Sequence, residues 1–158
     1  MTKKVKYRML VAANEQDFLE VWRSLHQIHL ASDIDLETTR KSSEVLKKLS
    51  GKEKPDILFL MNHHLMDGFS VEAIREAVKQ GLLRHQIYFN TGLNPGALQY
   101  EPYEHNDVKG KFCLIPKPAG AQELVEKIKA ALDQIKAKRP TRKSLPWKFF
   151  KEVMHKPK

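Results

Sequence analysis

The chain has 158 residues, a formal net charge of +9 and a single cysteine, Cys113. This length buries one ordinary core without staples, and one cysteine excludes an intramolecular disulfide, so the expectation is a reducing, cytoplasmic home. The apolar run after Lys6 ends at Asn14-Glu15, too short for a signal-peptide core or a membrane span, and it reads as a first strand.

Strand and helix alternate along the chain. Residues 7–12 form a short apolar strand, and 16–30 carry Phe18, Leu19, Trp22, Leu25 and Ile28 at helical spacing. A brief strand over 34–38 precedes a helix over 42–49, where Ser42 or Ser43 can cap and Gly51 stops. The run 57–61, Ile-Leu-Phe-Leu-Met, is apolar throughout, as a strand buried on both faces requires. It opens into Asn62-His63-His64, and a helix is expected from Asp67 to Lys79, ending at Gly81. A strand over 86–91 follows.

The segment 92–111 holds Pro95, Pro102, Gly92 and Gly96, which argue for a short or broken helix. The chain then gives a strand over 112–115 and a periodic helix over 122–137. Five alternations predict a parallel sheet with helices on both faces and right-handed crossovers. In such sheets ligands gather beyond the carboxyl ends of the strands.

Three stretches carry a resemblance. PDILFL followed by MDG, the run Ile87-Tyr88-Phe89-Asn90-Thr91, and Ile115-Pro116-Lys117-Pro118 fall in order over residues 6–135. Together they resemble the receiver domain of response regulators, a flavodoxin-like (βα)5 three-layer sandwich with a central five-stranded parallel sheet. The resemblance implies a domain over 1–137 with an irregular or shortened fourth helix, and a tail over 138–158. It also implies phosphoryl transfer to an aspartate ending strand three, two acidic Mg²⁺ ligands after strand one, and a Thr and a Lys contacting phosphate.

Thr91 and Lys117 match those last two positions, but the acidic pair falls on Ala13 and Asn14. The phosphoacceptor position falls on Met61 counting from Pro55, or on Leu60 counting back from Asp67-Gly68. Mg²⁺ asks for hard oxygen ligands, and a thioether is neither carboxylate nor nucleophile for phosphate. The aromatic that the family places three residues before the lysine is Leu114 here. The reading is a pseudo-receiver whose pocket, Ala13, Asn14, Met61, Thr91 and Lys117, has lost its phosphorylation chemistry. No catalytic residue, cofactor or metal is assigned. His63-His64 lack a metal-ligand pattern and read as a solvated loop; Asp67-Gly68 reads as helix-start chemistry, and Cys113 as a small core residue.

The charge lies in the tail. From Lys136 to Lys158 nine basic residues face only Glu152, giving +8, while the rest carries 19 basic and 18 acidic groups, or +1. Trp147, Phe150 and Met154 recur at helical spacing among Arg142, Lys143 and Lys151, as in a basic amphipathic helix. Docking on a partner or on its own domain, an anionic membrane surface, nucleic acid, and a solubilising disordered tail all fit this composition.

The function these residues point to is a non-enzymatic signalling adaptor that binds a protein partner without phosphorylation. The alternative is a regulator that binds nucleic acid or a membrane surface through the tail, with salt-sensitive and sequence-independent affinity. An α/β enzyme of another family lacks support, because no nucleophile-base pair or Gly-rich phosphate loop is present.

Overall fold

The computed structural model describes residues 6–61, 64–91, 108, 110–116 and 119–138. The strands are β1 (Tyr7–Ala12), β2 (Ile34–Thr39), β3 (Ile57–Met61), β4 (His64–Leu65), β5 (Gly68–Phe69), β6 (Ile87–Thr91) and β7 (Cys113–Pro116). The helices are α1 (Gln16–Leu25), α2 (Ser42–Ser50), α3 (Ser70–Lys79) and α4 (Ala121–Lys138), with a 3-10 turn over Arg84–Gln86. Five strands form one parallel sheet in the order β2-β1-β3-β6-β7. This is the expected flavodoxin-like (βα)5 arrangement. The fourth-helix expectation over 92–111 lies outside the described residues, apart from buried Val108 and the turn that Lys111 N–H closes on its carbonyl.

The apolar run of β3 now has a physical reason. Strand side chains alternate faces, so Ile57, Phe59 and Met61 pack with Leu19 and Trp22 of α1 and Ile128, Leu132 and Ile135 of α4. Leu58 and Leu60 pack on the other face with Val45 and Leu49 of α2 and Val71, Ile74 and Ala77 of α3. On the first face Trp22 meets Phe59 edge-on at 4.6 Å between ring centroids, and Tyr88 stacks on Phe59 at 6.2 Å.

Local expectations needed correction at four places. The first helix is α-helical only to Leu25; His26–Leu30 form a wider π turn, where His26 Nε2 donates to the Ile34 carbonyl at 2.6 Å and ties the turn to β2. Residues 64–69 are not the start of a helix. They make an antiparallel hairpin, β4 to β5, with Met66-Asp67 as its two-residue turn, and α3 starts at Ser70. Neither Ser42 nor Ser43 caps α2 with its own side chain: Lys41 is the cap residue, and the serines lie in the first turn. Cys113 is only half-buried on the edge strand, its Sγ 3.5 Å from the Arg84 carbonyl.

Gly81 ends α3 as expected. At φ 97° it adopts the left-handed conformation that lets its N–H reach Val78 O and the Leu82 N–H reach Ala77 O, the paired bonds of a Schellman end.

Phe59→Ala should destabilise the domain by about 3–5 kcal/mol, since it empties the centre of this face and removes both ring contacts. Urea unfolding followed by circular dichroism, with unchanged m-value, checks this.

Candidate functional site

The strand order reverses between β1 and β3, and the crevice beyond the carboxyl ends of these strands is where this topology places ligands. Ala12 lies beside Leu60 in the register, so Ala13 and Met61 come next at the two strand ends. Met61, not Leu60, ends β3; Leu60 is fully buried on the α2 and α3 face.

Met61 is 5% exposed, and its sulfur accepts a hydrogen bond from the Trp22 indole N–H at 3.2 Å. Trp22 itself is wholly buried. Buried Trp normally finds an acceptor for its N–H, and the soft thioether supplies one without bringing a charge into the core. The sequence showed Trp22 only as one apolar position of a helical stripe.

Asn14 follows buried Ala13, and its carbonyl accepts two bonds from Arg40, Nε at 3.0 Å and Nη2 at 2.8 Å. The loop after β1 is thereby tied to the loop after β2. On the same side of the sheet as Met61, buried Asn90 of β6 donates from Nδ2 to the Ile115 carbonyl of β7 at 2.9 Å. The Tyr88 hydroxyl, two residues earlier, is pushed up to about 12 by burial and then by neighbouring Cys113, so it stays neutral.

The third loop is tied by Asp67. Its carboxylate accepts from the backbone N–H groups of Ser42 at 2.5 Å and Ser43 at 3.3 Å, and from the Ser43 hydroxyl. These N–H groups open α2, where an acceptor with negative charge satisfies orphan donors and meets the positive end of the helix dipole. Asp67 is thus helix-start chemistry for a helix that precedes it by 25 residues. Gly68 completes the junction: a Cβ there would sit 2.8 Å from the Ser42 Cβ, so only glycine allows the hairpin to lie this close. Met66 N–H adds a 2.9 Å bond to the Arg40 carbonyl.

The fold family implies a Mg²⁺ site here, and the residues present do not fit one. Ala13 has no donor oxygen, Asn14 offers a neutral amide, Met61 offers sulfur, and Glu15 is an exposed residue at the start of α1. Among the described residues no group of three His, Cys, Asp or Glu side chains converges. Thr91 closes β6 at the crevice by its backbone. Its side chain, Lys117, His63, and the tail residues Arg142, Lys143, Trp147, Phe150, Lys151 and Met154 lie outside the described residues; of His64 only the backbone, in β4, is described.

Met61→Leu should cost about 1–3 kcal/mol because it leaves the Trp22 N–H buried without its acceptor. In a Trp22→Phe background the same change should cost less than about 1.5 kcal/mol, the usual loss for a Leu-Met exchange, so a double-mutant cycle should read out the bond as coupling. For Asp67 the hydrogen bonds, led by the Ser43 hydroxyl, hold the carboxyl below its ordinary value of 3.8. A depressed folded value means the contribution is present above the unfolded value and is lost as pH falls through the folded one. Asp67→Asn should therefore lower Tm at neutral pH and flatten its fall below pH about 4, read by thermal melts from pH 2 to 7.

No protein-family model matches the chain, and no curated protein does. Solved structures do. A signal receiver domain of an HD domain-containing protein from Pseudomonas fluorescens superposes with TM-score 0.67 at 17% identity, over 89% of this chain and 97% of that one. A response regulator receiver domain from Clostridium thermocellum gives 0.63 at 19%, over 83% and 98%. A response regulator receiver protein from Sinorhizobium medicae gives 0.61 at 11%, over 81% and 95%. The chain has the fold of response-regulator receiver domains.

Proposed function

We propose that this chain is a non-enzymatic, phosphorylation-independent pseudo-receiver: a cytoplasmic signalling adaptor that acts by binding a protein partner. The observation that carries the reading is Met61, buried at the end of β3 with its sulfur held by Trp22. The resemblance assigns the phosphoacceptor to Met61 or Leu60, and β3 ends at Met61. An acyl phosphate forms only where a carboxylate attacks and a metal offsets the developing charge, and the groups at this strand end supply neither. Apolar closure also favours one packed arrangement of the strand ends, since close-packed cores resist partial rearrangement. The adaptor then presents a fixed surface, and its input is the presence of the partner.

The tail supports the protein-partner reading further. Its aromatic and methionine positions give apolar anchors of the kind that fill partner pockets, while the domain it hangs from is almost neutral. Among the described residues no helix is long and apolar enough to cross a membrane.

Beryllofluoride with Mg²⁺, titrated into the ¹⁵N-labelled chain, should produce no saturable shifts. Metal-dependent, saturable shifts at Thr91 and Lys117 would overturn the phosphorylation-independent reading. Met61→Asp should remain silent in the same titration, because Ala13 and Asn14 still supply no carboxylate for the metal. Removal of residues 140–158 should weaken capture of the native partner; undiminished capture would remove the tail from the interaction.

A further inference from the structure

Helix α1 has an outward stripe that the described residues leave uncovered. Asp17, Val21, Ser24 and Ile28 follow one another at four, three and four residues, which places them in a line along the helix and its π turn. Val21 is 49% and Ile28 72% exposed. The upper end of the stripe is acidic: Glu15, Asp17 and Glu20 are all exposed. Arg23, the one Lys or Arg in α1, is turned toward β2, its Nη2 donating to Thr38 Oγ1 at 2.8 Å.

The lower end of the stripe lies where the chain leaves the domain. In the last turns of α4, Lys136 Nζ is 3.9 Å from the Asp33 carboxylate and 5.9 Å from the centre of the Tyr7 ring. Asp33 is bonded back to the Leu30 carbonyl at 3.1 Å, at the end of the same π turn that carries Ile28. After Lys138 the sequence runs through 139–158 with seven Lys or Arg against Glu152, and with Trp147, Phe150 and Met154 at intervals of three and four.

We propose that the basic aromatic segment 142–154 seats on this α1 stripe of its own chain, with Trp147, Phe150 and Met154 over Val21 and Ile28 and its cations toward Glu15, Asp17 and Glu20. The reach suffices: nine extended residues from Lys138 to Trp147 span up to about 30 Å, and the stripe from Asp17 to Ile28 is about 16 Å long. Tethering raises the local concentration of the segment to the millimolar range, so modest contacts fill the seat. Charge selects the occupant. A second copy presenting the same stripe would set acid against acid, and an anionic lipid surface would be repelled from it, whereas the tail is opposite in sign and matched in apolar spacing. The seat does not depend on the chemistry of the strand ends and stands whether or not the pocket takes phosphate. An external partner for the tail would then have to displace it from α1.

The full chain tests this with Cys113→Ser and a nitroxide on Ser144→Cys. Amides of 17–28 should be broadened severalfold more than those of α2 and α3, and the effect should weaken as salt is raised, since exposed charges are screened. Val21→Glu with Ile28→Glu should bring the broadening of α1 down to the level of the rest; both positions are exposed, so the fold is retained, and unchanged β3 amides verify that. Equal broadening of all helices, broadening centred elsewhere, or persistence in the double variant would overturn the proposal. A mixture of nitroxide-bearing unlabelled chain with unmodified ¹⁵N chain should show no broadening of α1; broadening there would assign the seat to a second copy and overturn it as well.

Discussion

The Trp22 indole N–H is buried in an apolar core, and the sulfur of Met61 accepts it. Much of the domain's organisation follows from this one pair. Trp22 lies at the centre of α1, so its position fixes how α1 sits on the sheet; it also makes the edge contact with Phe59, the middle residue of β3. A carboxylate in place of Met61 would have to be desolvated against the same ring, at a cost of several kcal/mol unless paired or bound to metal. An apolar strand end and a carboxylate strand end therefore require different surroundings. Here Ala13, just after the neighbouring strand, is buried with Met61 in the same cluster, so the environment agrees with the thioether.

The rim above that closure is held by polar ties that link three loops. Arg40 joins the loop after β2 to the Asn14 carbonyl after β1, and Asp67 joins the hairpin after β3 to the first N–H groups of α2. Gly68 permits the close approach, and it leaves the Ser42 hydroxyl buried with no hydrogen-bond partner among the described residues. An unsatisfied buried hydroxyl is a cost that the junction carries, offset by the carboxylate placed on otherwise orphaned helix donors. Among the described residues, the loops after β1, β2 and β3 are thus tied to one another and to the start of α2.

The fold was legible because its signals are local and redundant. The apolar runs of β1, β3, β6 and β7, the stripes of Val71, Ile74 and Ala77 or Leu124, Ile128 and Ile135, and the glycine after α3 each specify an element from a few neighbouring residues. The junctions were not legible, because their partners are far apart in sequence. Asp67-Gly68 reads as a cap for the helix that follows, and only the hairpin geometry delivers that carboxylate to α2, 25 residues back. The π turn at His26–Leu30 depends on a bond from His26 to Ile34 that a helical pattern cannot show. At the strand ends the chain order already set Ala13 and Met61 at neighbouring positions. The Trp22 bond to Met61 was hidden, since an aromatic on an apolar stripe gives no sign that its N–H matters. The half-burial of Cys113 follows from β7 being the sheet edge, a property of strand order that no local window carries.

The separation of charge along the chain takes on a structural meaning beside these ties. The chain before Lys136 is close to neutral, and among the described residues Ala13 and Met61 put apolar groups at the ends of β1 and β3. The cations are concentrated after Lys136, in the stretch that begins where α4 meets Asp33. A receiver that signals by phosphate alters its surface by changing charge at the strand ends. In this chain the excess of charge lies instead in the sequence from Lys136 onward. On the adaptor reading proposed above, control passes from a covalent event in the crevice to competition for a surface, which needs no metal, no nucleophile and no second conformation of the sheet.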